Sequence, residues 1–219
     1  MPDISKINNV AVADISKLDS ITFADGQKVN NQSVSLVTDA HTLIATATAS
    51  SSASLEFTSG IDSTYDVYEF HCVSIHAATD NVNFTFQVNA TDGADYNDSA
   101  ITSTFFAAYH NESDSNNNLA YEADFDQAQG AAYQVLANYF GNENDESGSG
   151  VLTLYAPSST TFVKHFVSRF QNVTQDDYSR DNHAAGYIND TTAIDNISFK
   201  MSSGSIDSGE IKMYGIAKS

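Results

Sequence analysis

The sequence predicts an all-β protein: an antiparallel β-sandwich, jelly-roll-like, behind an extended N-terminal repeat arm. Three observations carry that expectation. Apolar and polar residues alternate at a period of two in many short runs. Turn signals built on Gly, Asn and Asp separate those runs. The chain also holds 13 Phe and 11 Tyr but only 2 Pro, a composition that suits pleated, aromatic-filled sheets.

Residues 1–36 read as three copies of one 11-residue unit. The first runs Ile4-Ser-Lys6-Ile7-Asn-Asn-Val10, the second Ile15-Ser-Lys17-Leu18-Asp-Ser-Ile21-Thr-Phe23, the third Gly26-Gln-Lys28-Val29-Asn-Asn-Gln32. Ser, Asn and Asp break up the apolar positions, which favours short extended pieces joined by turns over an amphipathic helix. A unit with so few apolar residues cannot close its own core and must stack on itself or on something larger. The expected domains are therefore 1–36, an attachment arm, and 37–219, the body. Ile4, Ile7, Val10, Ile15, Leu18, Ile21 and Phe23 are the expected attachment residues. An N-terminal β-rich cap on the body is the alternative use of the same segment.

In the body, Leu55 and Phe57 alternate with polar neighbours. Tyr65 to Ile75 is apolar on both faces and reads as a central strand. Val82, Phe84, Phe86, Val88 and Ala90 alternate with Asn83, Thr85, Gln87 and Asn89, which predicts a strand with one dry and one wet face. The segments 131–140 and 162–170 fit helix or strand, and Thr and Val density, with strands on both sides, favours strand. Val151–Tyr155, Ile197–Met201 and Ile211–Met213 complete the set.

A formal charge of −19 argues against nucleic acid as a partner, since phosphate contacts need Lys and Arg. No Lys or Arg occurs between Lys28 and Lys164, so the body is expected to present a strongly acidic surface. Cys72 is the sole cysteine and forms no intrachain disulfide; it is expected to be a buried hydrophobe. Neither a secretory leader nor a membrane insertion is expected. The polar stretches 111–118 and 142–149 are expected to be exposed loops. Either could hold Ca²⁺ through clustered oxygens, although neither has the spacing of a Ca²⁺ loop.

The residues Ile61-Asp-Ser-Thr-Tyr65-Asp-Val-Tyr68, Ala78-Thr-Asp80-Asn-Val-Asn-Phe-Thr-Phe86 and Thr91-Asp-Gly93-Ala-Asp-Tyr96 resemble a pattern in tailed-phage virion β-sandwich proteins. The ending, Ala193-Ile194-Asp-Asn-Ile197-Ser-Phe199 through Gly209-Glu-Ile211-Lys-Met-Tyr214-Gly215-Ile216, is similar to the closing hairpin of such domains. Phage proteins of this type often begin with repeats like the arm. The resemblance implies a structural component of the virion: a capsid decoration or head-fibre protein, or a tail fibre or adaptor. Other phage structural proteins would then be its partners, and a homotrimer is the favoured oligomer. The resemblance contributes no catalytic residues.

No phosphate loop, nucleophile elbow or zinc-ligand spacing is present. His71 and His76 are five positions apart, which an unbroken strand would place on opposite faces. The carboxylates lie mostly in turn-rich segments and are expected to stay solvated, with no buried carboxylate pair and no His-centred dyad. The chain is therefore expected to be no enzyme and to need no cofactor. The alternative function is a module that binds host-surface glycan, for which Tyr109, Tyr121, Tyr133, Tyr139 and Tyr187 are the available stacking surfaces.

Overall fold

In a computed structural model the described residues are 41–90, 95–96 and 99–217, together with four two-residue strands nearer the N-terminus. Cα proximity divides the chain into two units, Met1–Asp39 and Ala40–Ser219. In the first unit β1 (Lys6–Ile7) pairs with β2 (Val10–Ala11), and β3 (Lys28–Val29) pairs with β4 (Gln32–Ser33), both antiparallel. The partners Ile7↔Val10 and Val29↔Gln32 occupy the same phase of the 11-residue unit, two units apart. Each pair brackets an Asn-Asn dipeptide in the sequence. The remaining expected attachment positions, Ile4, Ile15, Leu18, Ile21 and Phe23, lie outside the described residues.

The second unit is built from antiparallel strands, with no helix among the described residues. They are β5 (His41–Thr48), β6 (Leu55–Phe57), β7 (Val67–Ala77), β8 (Val82–Ala90), β9 (Ile101–Asn111), β10 (Asn117–Tyr121) and β11 (Ala128–Gly130). Then follow β12 (Gln134–Phe140), β13 (Gly148–Tyr155), β14 (Lys164–Val173), β15 (Tyr178–Ile188), β16 (Ile194–Met201) and β17 (Ile206–Ile216). A nine-stranded sheet has the order β10-β9-β15-β14-β13-β7-β17-β5, with β11 also on β9. A four-stranded sheet has the order β12-β8-β16-β6. Neither closes into a barrel.

The two sheets share one aromatic core. Phe84 of β8 meets Phe170 of β14 at 5.5 Å between ring centroids, and Phe86 meets Phe166 at 5.1 Å. Phe199 of β16 meets Phe70 of β7 at 5.5 Å, and Phe57 of β6 meets Phe70 at 5.6 Å. Tilted and edge-to-face contacts of this kind add about 0.5–1.5 kcal/mol per pair beyond the area they bury. Cys72 is buried among them, and burial pushes its thiol pKa up. Both ambiguous segments are strands: β12 and β14 carry most of their length.

Two readings of individual strands need correction. The expected wet face of β8 is dry, because Thr85, Gln87 and Asn89 are buried. Gln87 Nε2 donates to the carbonyls of Ser99, Ala131 and Ala132 at 3.1–3.2 Å, so main chain lies across that face. A polar face reads as solvated in sequence, yet an amide can equally dock a loop through its carbonyls. In β7 only one face is buried, and the strand is bulged. Ser74 has φ 51°, and the register against β17 shifts between Ser208 and Glu210. Gly209, opposite, has φ 113°, and a Cβ there would lie 2.6 Å from the Ser74 carbonyl oxygen. The extra residue reverses the alternation, so His71 and His76 both turn away from the core rather than to opposite faces.

Candidate functional site: a tyrosine cleft at one end of the sheets

Four connections and strand ends converge at one end of the body. The β7–β8 turn contributes Asn81, the β9–β10 loop Asn116, a bulge in β12 Tyr139, and the β14–β15 turn Thr174, Gln175 and Asp176. With Tyr109 of β9 and Tyr178 and Arg180 of β15 they line an open cleft of about 330 Å³. This volume is at the small end of ligand sites, which run from roughly 300 to 1,000 Å³.

Each wall has a local cause. Register places Arg180 opposite Tyr109 and Tyr178 opposite Asn111 on the β15–β9 ladder. The rings of Tyr109 and Tyr178 meet edge to face at 5.8 Å. The β9–β10 loop is organised by Asn111, whose Oδ1 accepts the backbone N–H groups of Ser115 and Asn116 at 3.0 Å each. Its Nδ2 donates to the Ser113 and Ser115 hydroxyls at 2.9 Å each, and Asn116 Nδ2 then reaches the Tyr178 hydroxyl at 3.1 Å. The β14–β15 turn closes through Asp177 N–H to Thr174 O at 3.0 Å and Thr174 N–H to Tyr178 O at 3.1 Å.

Tyr139 is the unusual wall. It has φ 56°, a conformation rare for an aromatic residue, and stands 40 % exposed between buried Asn138 and Phe140. The β12–β8 register shifts across it, so the bulge turns the ring outward. Asn83 Oδ1 accepts the Tyr139 N–H at 3.2 Å, and the Tyr139 carbonyl accepts from Gln175 N–H at 3.4 Å. Left-handed backbone at such a residue costs on the order of 1–3 kcal/mol, and strain of this size gathers at ligand sites.

Beneath the rings lies a buried ion pair. Arg180 is 5 % exposed, and its guanidinium sits 4.9 Å from the Tyr109 centroid and 5.1 Å from that of Tyr139. It pairs with Glu122 Oε1, while Glu122 Oε2 accepts from Asn138 Nδ2 at 2.8 Å. Flanked by two ring faces, the cation holds Tyr109 and Tyr139 apart at a fixed spacing.

Of the tyrosines named from sequence, the fold brings Tyr109 and Tyr139 into the cleft and scatters the rest. Tyr121 hydrogen-bonds Asp126. Tyr133 lies under Lys200 Nζ, 3.9 Å from its centroid, and donates to Ser198 Oγ at 3.2 Å. Tyr187 packs against His165. Tyr178 was missed; its one sequence signal is its place immediately after the Asp176-Asp177 turn. The polar stretch 111–118 does reach the cleft.

The stretch 142–149 serves a second, acidic hollow of about 360 Å³ beside His76 and Asp207. There the expectation of solvated carboxylates fails. Glu146 is 5 % exposed, its Oε2 accepts the Glu143 N–H at 2.6 Å, and burial holds its pKa above the ordinary carboxylate value. The expectation of no His-centred dyad fails as well. Glu69 Oε2 lies 2.8 Å from His71 Nε2 and 3.3 Å from His41 Nε2 on the outward face of the large sheet. Neither polar stretch, 111–118 or 142–149, gathers three His, Cys, Asp or Glu side chains placed for a metal among the described residues. No family model, curated protein or solved structure matches the chain.

Proposed function

We propose that this chain is a non-enzymatic surface component of a tailed-phage virion whose body binds host-surface glycan. The observation that carries the binding half is the cleft: three tyrosine rings with amide and hydroxyl groups between them. Sugar rings have apolar C–H faces and polar rims, and phenol rings with interleaved amides match both. The docking half rests on the repeats of residues 1–36 and on the resemblance of both chain ends to virion proteins. In this reading the arm attaches to the capsid or tail through Ile4, Ile7, Val10, Ile15, Leu18, Ile21 and Phe23, and a trimer presents three clefts.

The architecture that fits this role is a jelly-roll-like sandwich. Its support is nested pairing: β5 pairs with β17, β6 with β16 and β9 with β15, outermost with outermost. A glycan array probed with the purified chain tests the binding half, with wild type binding and Tyr109→Ala/Tyr178→Ala not binding. Removal of residues 1–25 tests the docking half: a folded body that no longer joins particles is expected, and normal incorporation would refute the arm as anchor.

A further inference from the structure

The cleft is rich in hydrogen-bonding groups yet offers no free positive charge, and that combination narrows what it can hold. Resting on the glycan reading, we infer that its ligand is a neutral saccharide and that sugars bearing carboxylate or sulfate are rejected. Every cation among the described residues of the body is already engaged. Lys164 is buried and donates to the Asp190 and Thr192 carbonyls. Arg169 is bidentate to Asp181, Lys212 pairs with Glu210 at 2.6 Å, and Lys200 lies over Tyr133. Arg180 alone borders the cleft; it is 5 % exposed, paired with Glu122 and flanked by Tyr109 and Tyr139, and its Nε, which has no hydrogen-bond partner among the described residues, is buried.

The groups left for a ligand are therefore acceptors, amides and one anion. Asn81, Asn116 and Gln175 carry side-chain amides, and Asp176 is an exposed carboxylate on the rim. A carboxylate accepts from two adjacent sugar hydroxyls at once, a bidentate contact that uses charge without needing it on the ligand. An anionic sugar would bring its charge to Asp176 and to an acidic body with no exposed, unpaired arginine among the described residues to receive it, which is discrimination by repulsion.

The test titrates the full chain with neutral gluco-, galacto- and rhamno-oligosaccharides and with the same backbones capped by sialic or glucuronic acid, at low and high salt. The expected result is binding of at least one neutral probe and binding of its capped counterpart weaker by about ten-fold or more, with the gap narrowing at high salt. Asp176→Lys should close the gap by admitting the capped probes. Capped probes binding as tightly as neutral ones, through a cleft that Tyr109→Ala/Tyr178→Ala disables, would overturn the neutral-ligand inference and leave glycan binding standing. Failure of every probe would overturn the glycan reading itself.

Discussion

The two polar loops, 111–118 and 142–149, have nearly the same composition and opposite surroundings. The first is folded on Asn111 and delivers Asn116 beside Tyr109 and Tyr178. The second folds on Glu146, whose carboxylate fills the space beside Gly141, where a Cβ would lie 2.0 Å from Oε2. Its neighbours are His76, Asp145 and Asp207, with no tyrosine or phenylalanine lining the hollow. Hydrophilic loop composition thus marks exposure but leaves function to the strand ends beside it. A loop next to phenol faces can hold a ring, whereas a loop next to carboxylates repels its own kind.

The largest effect that separates the two is expected at the buried charge under the cleft. Glu122→Ala leaves Arg180 unpaired in the interior and should cost about 3–5 kcal/mol in urea unfolding. A loss below about 1 kcal/mol would mean that Arg180 is solvated and the cleft floor is soft. Next in size is binding. Tyr109→Ala/Tyr178→Ala should weaken a bound oligosaccharide by about 2–3 kcal/mol, roughly 30- to 150-fold, with the fold retained by circular dichroism. Asn144→Ala/Asp145→Ala in the other loop should leave affinity unchanged, and an equal loss there would erase the contrast.

Glu146 gives a smaller effect with a definite sign. Burial raises its folded pKa above the ordinary carboxylate value, so just above that value the folded state holds more protons than the unfolded state. Stability should therefore fall as pH rises through that window and stay lower above it. Glu146→Gln should flatten this slope when thermal unfolding is followed from acid to neutral pH, and an unchanged slope would assign it to other carboxylates. Smallest is Asn111→Ala, which removes the acceptor for two loop N–H groups and should cost about 1 kcal/mol with a few-fold loss of affinity.

Much of the fold was legible because strand alternation is local. Val82 to Ala90 announces β8, and the strand signals on both sides of 131–140 and 162–170 favour the strands found there. What was not legible depends on partners distant in sequence. The polar face of β8 is dry because residues near 99 and 131–132 cross it, a contact that Gln87 alone cannot reveal. The same limit hid the cleft. Tyr139 reads as one of an alternating set with Tyr133, Val135 and Ala137, and only the bulge with its left-handed φ turns it to Tyr109 and Tyr178. Bulges carry little residue signature in their own strand, and the bulge at Ser74, whose Gly209 lies on the partner strand, put His71 and His76 on the wrong relative faces. The arm is the reverse case, since its 11-residue period is explicit in sequence.

The central claim is that saccharide binds at the tyrosine cleft, and residue-resolved chemical-shift mapping tests it most directly. On titrating the full chain with a neutral oligosaccharide that binds, the account predicts shifts centred on Tyr109, Asn116, Tyr139, Gln175 and Tyr178, with the 142–149 loop unmoved. Shifts centred on Glu146, His76 and Asp207, or on the outward face around His71, with the three tyrosines silent, would contradict it.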